Sequence, residues 1–579
     1  MRTRAPALVG SLLSLAFGCA PAPSSDDAGD AADGSTSADA GESSEEASSG
    51  PEDPGTSSSG GSGSTSTSDS TSTSGAGTTT GGTTTSTGST TGSTITSTDD
   101  GASDESDTSQ DPPDPPAVTW PLINGIQWAD VDGQPIQAHG GGMLKVGDDY
   151  YWFGENRNPD GTFYAVSAYR SRDLRRWEHA HDILTMMSDA DLRPANVERP
   201  KVVYNASTQK YVMWMHWENG RDYGEARAAV ASSDTVDGDY TYHGSFRPLQ
   251  DTGVVDHGKP GYMSRDCTLF VDDDGTGYFL STANENYDLH LYRLTPDYLA
   301  IERREALLFE GDHREAPALF KRGDIYFLVT SGSTGWSPNQ ARYATSRSLA
   351  SGWSSLQNVA DGNTFWSQST YVQPIEGPQG TEYLYMGDRW AGAWGGRVND
   401  SAYVWQQITF PTETTMSMTW ANTLDVDVAA GTLEGAVVGF VFVNKKSGLA
   451  MSVQGSPSEN GADVMQDALA AQASPVWRLN YDGAGSFHLT NAASDKVLDV
   501  PDESTDPGIA VHLWSNNDGD HQAWRLIDVG EGEYRVRNKK SGLDLGVAGG
   551  ATEAGARVEQ QTPTEGDEQI WRVDIANGG

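Results

Sequence analysis

The chain has 579 residues, enough for two or three domains with sizeable cores. Its formal net charge of −43 argues against nucleic acid, which needs a positive footprint, and leaves a neutral polysaccharide open as partner. Two cysteines, Cys19 and Cys267, leave no material for a disulfide framework.

The first element is a leader. A Met-Arg-Thr-Arg start precedes an apolar run from Ala7 to Phe17. A basic start, a short apolar core and small residues follow secretory signal logic, and the run is too short to span a bilayer. L-A-F-G-C, ending at Cys19, resembles a bacterial lipobox, with Ala16 where that pattern prefers Leu. The resemblance implies a lipoprotein-type signal peptide over 1–19 and a lipid anchor on Cys19, with plain secretion as the alternative. Either route places the protein outside the cell or on its outer surface.

Residues 20–118 are Ser, Thr, Gly, Asp and Pro, with 18 acidic residues and no Lys or Arg. Such a segment buries too little apolar surface to offset its chain entropy, so a disordered tether is expected. As a flexible coil it spans roughly 50–60 Å, and charge repulsion extends it.

From Trp120 the texture changes to aromatic-rich alternating runs separated by Gly/Asp turns, an all-β signal. One unit recurs five times: a strand, a tight turn, then a strand rich in Tyr and Phe. Examples are G-G-M-L-K-V-G-D-D-Y-Y-W-F-G-E and A-P-A-L-F-K-R-G-D-I-Y-F-L-V-T. Repeats of this kind read as propeller blades, so a five-bladed β-propeller is expected over 119–432, with a large β-sandwich as the alternative. Aligned on the first strand, the entry residues are His139, Glu198, Asp266, Glu315 and Gln368 (the last in W-S-Q-S-T-Y-V). The innermost strands of a propeller surround one axis, so these five side chains are expected to converge on one funnel mouth.

Carboxylates around a pocket beside many aromatics suit glycoside hydrolysis, in which an acid protonates the leaving oxygen and a base activates water. Apposed carboxylates raise each other's pKa, which keeps one protonated at neutral pH. Oxygen ligands also suit Ca²⁺, but the acids are dispersed over blades and lack D-x-D-x-D-G spacing, so no metal site is assigned. No cofactor is implied, and a structural Ca²⁺ on the propeller axis stays compatible with the pattern.

A lone Asp on the third blade and R-E-A-P on the fourth resemble glycoside hydrolase family 43. The resemblance implies Glu315 as general acid and Asp266 as the carboxylate that tunes and orients it. The first blade departs, with His139 of Q-A-H-G-G-G where that family's aspartate base belongs. H-G-G-G, Y-W-F-G-E, V-E-R-P-K-V, S-R-D-C-T-L-F and G-D-R-W together resemble its exo-β-1,3-galactanase branch. That implies release of galactose, or short β-1,6-galactose-bearing units, from the β-1,3-galactan of arabinogalactan with inversion. The branch's base candidates map to Gln368, acting through its imidic acid tautomer, and to Glu198. Residues expected to contact sugar are His139, Glu155, Tyr223, Asn284, Asn286, Thr334, Trp336, Asp388 and Trp390, because aromatic faces and polar tips together suit a sugar ring.

After about 433 a second periodicity appears. Asn444, Asn491 and Asn538 open three repeats that end in Trp477, Trp524 and Trp571, each set 47 residues apart. H-Q-A-W and E-Q-I-W carry the Q-x-W of ricin-type β-trefoil lectins, which implies a trefoil carbohydrate-binding domain over 433–579. Only the second repeat keeps that family's sugar-binding set, with Asp499, Trp514, Asn517 and Gln522. Ser452 and Gly546 hold the aspartate's place in the first and third repeats. One working sugar site is expected, against a purely structural trefoil.

The sequence thus reads as an all-β glycan hydrolase, a five-bladed β-propeller followed by a β-trefoil. It is expected to act as a monomer on a polysaccharide, touching membrane only through Cys19. Rival readings are another activity of the same family, α-L-arabinofuranosidase or β-xylosidase, and a non-catalytic glycan-binding protein.

Overall fold

The computed structural model describes residues 120–469 and 474–576; the leader, Cys19 and the tether lie outside the described residues. The described elements are strands and single 3₁₀ turns, as the alternating pattern predicts.

Five antiparallel sheets follow one another. The first runs through His139–Val146, Asp149–Arg157, Phe163–Ser171 and Glu178–Thr185, and the second through Asn196–Asn205, Lys210–Glu218, Arg227–Ser233 and Thr241–Phe246. The third and fourth open with Cys267–Val271 and Arg314–Arg322 and again have four strands. The fifth, Gln368–Gly377, Gly380–Arg389 and Ala402–Ile408, has three. The opening strands touch their neighbours in a ring, and Gln368–Gly377 packs back on His139–Val146. That is a closed five-bladed propeller.

Closure is secured from outside the blades. Leu122–Ile123 pairs with Thr423–Asp427, and Ile126 bridges Tyr403 on blade five, so the entering chain is bound to the leaving one. Between blades one and five, Trp128, Trp152, Trp177, Tyr403 and Trp405 form a buried cluster, with the Trp128 and Trp405 rings edge to face at 4.8 Å. Large aromatic area in this seam supplies apolar burial that hydrogen bonds at a seam do not.

A β-bulge follows the entry residue on four opening strands. Register slips between His139 and Gly142, Glu198 and Lys201, Glu315 and Ala318, and Ser369 and Tyr371. In the first three, the residue after the entry position is left-handed: Gly140 (φ 61°), Arg199 (φ 52°) and Ala316 (φ 54°). A bulge bends the strand and re-aims its side chains, and the entry residues Glu198, Glu315 and Gln368 reach the mouth of the ring.

The trefoil shows its threefold repeat in its hydrogen bonds. The buried indoles of Trp477, Trp524 and Trp571 donate to the carbonyls of Met451 (3.2 Å), Leu498 (3.0 Å) and Leu545 (2.9 Å). Each buried N–H thus finds its obligatory partner. Phe440–Asn444 pairs with Trp571–Ile575 and closes the domain.

Truncating the seam leaves a large cavity. Trp405→Ala is expected to destabilise the propeller by about 3–5 kcal/mol. A thermal scan should show this as a markedly lower propeller transition, with the trefoil transition changed less.

Candidate active site

At the mouth of the ring lies a cavity of about 240 Å³ lined by Glu155, Arg157, Glu198, Arg199, Tyr223, Asp266, Glu315, Trp336, Gln368 and Trp390, among others. Four of the five entry residues therefore converge as the alignment of blades predicts.

Arg199 ties three blades together here. Its guanidinium meets the Asp266 carboxylate at 3.0 Å, donates to the Gln368 amide oxygen at 2.5 Å and to the Ser369 carbonyl at 3.0 Å. The Trp390 indole donates to the same amide oxygen at 2.8 Å. The amide nitrogen of Gln368 donates to Glu315 Oε1 and to Ser331 Oγ, both at 2.9 Å. Two pure donors on one side and a carboxyl and a hydroxyl on the other fix which way the amide points.

Asp266 also accepts from the Ala316 backbone N–H at 3.0 Å, so it is fastened beside Glu315. Asn286 donates to the other Glu315 oxygen at 3.1 Å. Burial pushes the Glu315 carboxyl up, and the nearby Asp266 charge pushes the same way against Arg199, leaving it at about 8. At neutral pH Glu315 holds its proton and can donate it.

Across the cavity a second network holds Glu198. Arg157 (2.7 Å) and the Tyr223 hydroxyl (2.6 Å) donate to one oxygen, and His216 Nδ1 lies 3.0 Å from the other. Burial raises the Glu198 carboxyl, but these partners outweigh it and hold the group well below the usual range. Burial would lower His216, yet its bonds to Glu198 and Glu218 lift it to about 9. Glu155 binds Arg157 from the other side at 2.7 and 2.5 Å and is itself raised, chiefly by burial.

Four residues expected at the sugar stand elsewhere. His139 is fully buried, stacked on Tyr403 at 5.0 Å, with Nδ1 3.4 Å from Asp388. Asp388 is likewise buried and accepts the Gly140 N–H at 2.5 Å, so this pair braces blade one against blade five behind Gln368. Asn284 donates to Asp288, and Thr334 closes its own loop on the Ser337 carbonyl. Entry position and loop position alone do not aim a side chain: His139 has the same bulge as Glu198 and Glu315 but is held by Tyr403 and Asp388, and Asn284 and Thr334 are held by loop hydrogen bonds. Glu155, Tyr223, Trp336 and Trp390 line the cavity, and Asn286 touches Glu315. Trp336 is exposed and its ring lies edge-on to Trp390, close over Gly392, where a Cβ would come within 2.5 Å of the indole.

Sequence reading missed Arg157, Arg199, His216 and Ser331. The available signal was cation placement, since E-N-R and E-R-P-K each set an arginine within two residues of a cavity glutamate. Lys201, behind the site, donates to the Gly140 carbonyl at 2.7 Å, and burial drives its ammonium down to about 7. Cys267 is buried against the Arg199 carbonyl, the small packed side chain its neighbours suggest.

In the trefoil, Asp499, Trp514, Asn517 and Gln522 do come together. Asp499 accepts from Gln522 at 2.7 Å and lies 2.7 Å from His512, whose ring stacks on the exposed Trp514. Gln522 in turn accepts the Asn517 N–H at 2.8 Å. In the third repeat Gln569 makes the same loop bond to the Thr564 N–H, but its amide nitrogen donates to Gln561 at 3.1 Å, where the second repeat offers Asp499. Asp544 is spent on Arg537 at 2.6 and 3.0 Å.

The sequence pattern described as glycosyl hydrolases family 43 matches residues 137–398, and that of the ricin-type beta-trefoil lectin domain-like family matches 428–514 and 520–579. Among solved structures, an exo-β-1,3-galactanase from Clostridium thermocellum is 48% identical, covering 79% of this chain and 100% of that one, with a TM-score of 0.55. An exo-β-1,3-galactanase variant from Phanerochaete chrysosporium, solved with β-1,3-galactotriose, is 26% identical over 78% of this chain and 100% of that one, with a TM-score of 0.52. No curated protein matches the chain.

The pKa of Glu315 sets an alkaline limit. Glycoside hydrolysis that draws its proton from Glu315 is expected to lose kcat/KM as pH rises through about 8. Asp266→Asn removes a charge that raises Glu315, so the limb should move to lower pH. A pH–rate profile of both proteins checks the sign.

Proposed function

Because the chain belongs to glycosyl hydrolases family 43, we propose that it releases galactose, or short β-1,6-galactose-bearing units, from the β-1,3-galactan of arabinogalactan, with inversion and outside the cell. The likeness to two exo-β-1,3-galactanases supports the substrate, and the signal-like start supports the location.

The observation that carries the mechanism is the 2.9 Å hydrogen bond from Gln368 Nε2 to Glu315 Oε1. Glu315 gives its proton to the glycosidic oxygen as the bond to the anomeric carbon breaks. Water adds to that carbon from the opposite face and passes a proton to Gln368 Oε1. In the same step Gln368 Nε2 returns a proton to Glu315, leaving a neutral imidic acid that later reverts to the amide. Arg199 and Trp390 already donate to Oε1, so the amide alone is a weak acceptor, and loss of the Nε2 proton is what makes the oxygen basic.

Glu198 suits a different task. An ionised carboxylate held by Arg157, Tyr223 and His216 has little affinity left for a proton and is poorly matched to act as base near neutrality. It is well placed to accept a sugar hydroxyl or to hold the water. Repeat two of the trefoil, with Asp499 beside an exposed Trp514, then keeps polymer near the cavity and raises its local concentration.

Incubating the full chain with β-1,3-galactan, arabinan and xylan tests the substrate: galactose from galactan alone is expected. Binding without product would favour a glycan-binding protein, and arabinose or xylose release another activity of the family. Glu315→Gln is expected to lower turnover by about 10²–10⁴-fold. Gln368→Ala should lower kcat more than Glu198→Ala, whose loss should fall mainly on KM; full turnover by Gln368→Ala would remove the glutamine from the mechanism.

A further inference from the structure

The turn that delivers Gln368 is unusual. Thr364, Phe365 and Trp366 take φ values of 54°, 56° and 63°, three consecutive non-glycine residues in the left-handed region. Side chains there crowd the following carbonyl, so such a run persists only where its surroundings over-determine it. On the propeller side, Asp361 accepts the Phe365 N–H at 2.7 Å and Ser367 Oγ donates to the Thr364 carbonyl at 2.7 Å. Arg389 adds a bond from Nη2 to the Phe365 carbonyl at 2.9 Å.

Arg389 itself is buried, and its guanidinium lies 3.7 Å from the centroid of Tyr481, a trefoil residue. Its other amino group donates to the Gly125 carbonyl at 3.0 Å. The Trp366 ring packs edge-on to the same Tyr481 at 5.7 Å. Gly483 makes room for that indole, because a Cβ there would lie 2.9 Å from it. Tyr481 is backed by Phe487 of the trefoil core at 5.6 Å. Arg389 also sits between Asp388, which fastens blade one, and Trp390, which bonds the Gln368 oxygen.

We propose that the trefoil is a structural part of the active site: Tyr481, with Gly483 beside it, seats Arg389 and Trp366 and thereby holds the left-handed turn that sets Gln368. Tyr481 and Arg389 are then positioning residues, acting through the turn and not on the sugar. The trefoil has two separable duties, one through the sugar-binding set of repeat two and one through this contact. The kinetic part of the inference rests on the galactanase reading; the mechanical part does not.

The test uses the full chain with Tyr481→Leu, which keeps apolar bulk but loses the ring face, and Tyr481→Phe, which keeps the face. A desolvated cation–π contact is of the order of a tenfold effect, so kcat on β-1,3-galactan is expected to fall by about tenfold or more in Tyr481→Leu, with KM little changed and Tyr481→Phe close to the parent. Amide hydrogen exchange over 361–369 should quicken in Tyr481→Leu and not in Tyr481→Phe. If Tyr481→Leu fails to fold, Gly483→Ala, which pushes on Trp366, gives the same two readouts. Unchanged exchange over 361–369 in a folded Tyr481→Leu or Gly483→Ala protein overturns the proposal, as does faster exchange with undiminished kcat. Faster exchange in a chain whose parent releases no galactose would refute the galactanase reading and leave the buttress standing.

Discussion

The guanidinium of Arg199 is the constraint on which the site depends. It starts from blade two and reaches Asp266 on blade three and Gln368 and Ser369 on blade five. Burying an arginine is costly unless its donors are met, and removing one partner from such a buried pair costs about 3–5 kcal/mol. The three partners are thus locked to one geometry, and Glu315, bonded to Gln368, is locked with them. The left-handed backbone at Arg199 belongs to the same arrangement, since the bulge there turns Glu198 and Arg199 toward the mouth together.

Around that hub the two glutamates are driven in opposite directions. Glu315 has few donors, a buried setting and the Asp266 charge beside it, so it keeps its proton at neutral pH. Glu198 has an arginine, a phenol and a histidine lifted to about 9, so it stays ionised. Carboxyls whose environments separate their pKa values take separate chemical roles. The division follows from cation placement: Arg157 serves the blade-one and blade-two acids, while Arg199 is shared with Asp266 and an amide. A neutral glutamine at position 368 fits this economy of charge, because it accepts from Arg199 and donates to Glu315 without adding a carboxylate. A third ionised carboxylate bonded to Glu315 would raise it further and compete with Asp266 for the same arginine.

The propeller was legible because each blade repeats one pattern, and the pattern carries its register: aligning the first strands brought Glu198, Asp266, Glu315 and Gln368 to one place. His139 shared the alignment and not the outcome. Its strand is braced by Asp388 and Tyr403, and a histidine stacked between blades reads in sequence like one facing a cavity. Asn284 and Thr334 failed for a related reason, because loop residues are aimed by local hydrogen bonds that no periodicity records. Arg157 and Arg199 lie on blade strands, yet nothing local says that these buried cations meet Glu198 and Asp266 of the next blade, while His216 meets Glu198 within its own blade. Pairing across blades is long-range information.

The trefoil shows the same limit from the other side. Its three tryptophans and their spacing announce the fold, and the contrast of Asp499 with Ser452 and Gly546 marks repeat two as different, where Asp499, Trp514, Asn517 and Gln522 do stand together. In the third repeat, Gln561 occupies the space that Gly546 leaves, and Gln569 bonds it in place of an aspartate. In that repeat, side-chain packing takes the place that Asp499 holds in the second. Nothing in the repeat, however, announces Tyr481 and Gly483, whose meaning comes from the propeller residues they meet. A left-handed turn through Thr364, Phe365 and Trp366 costs about 1–2 kcal/mol per residue relative to right-handed backbone. Bonds from Asp361, Ser367 and Arg389 offset that cost, and the last of these is buried against a ring from the other domain. The strain is therefore carried jointly by both domains. A trefoil that served only as a tethered polymer binder would have no need to meet the propeller two residues from Gln368.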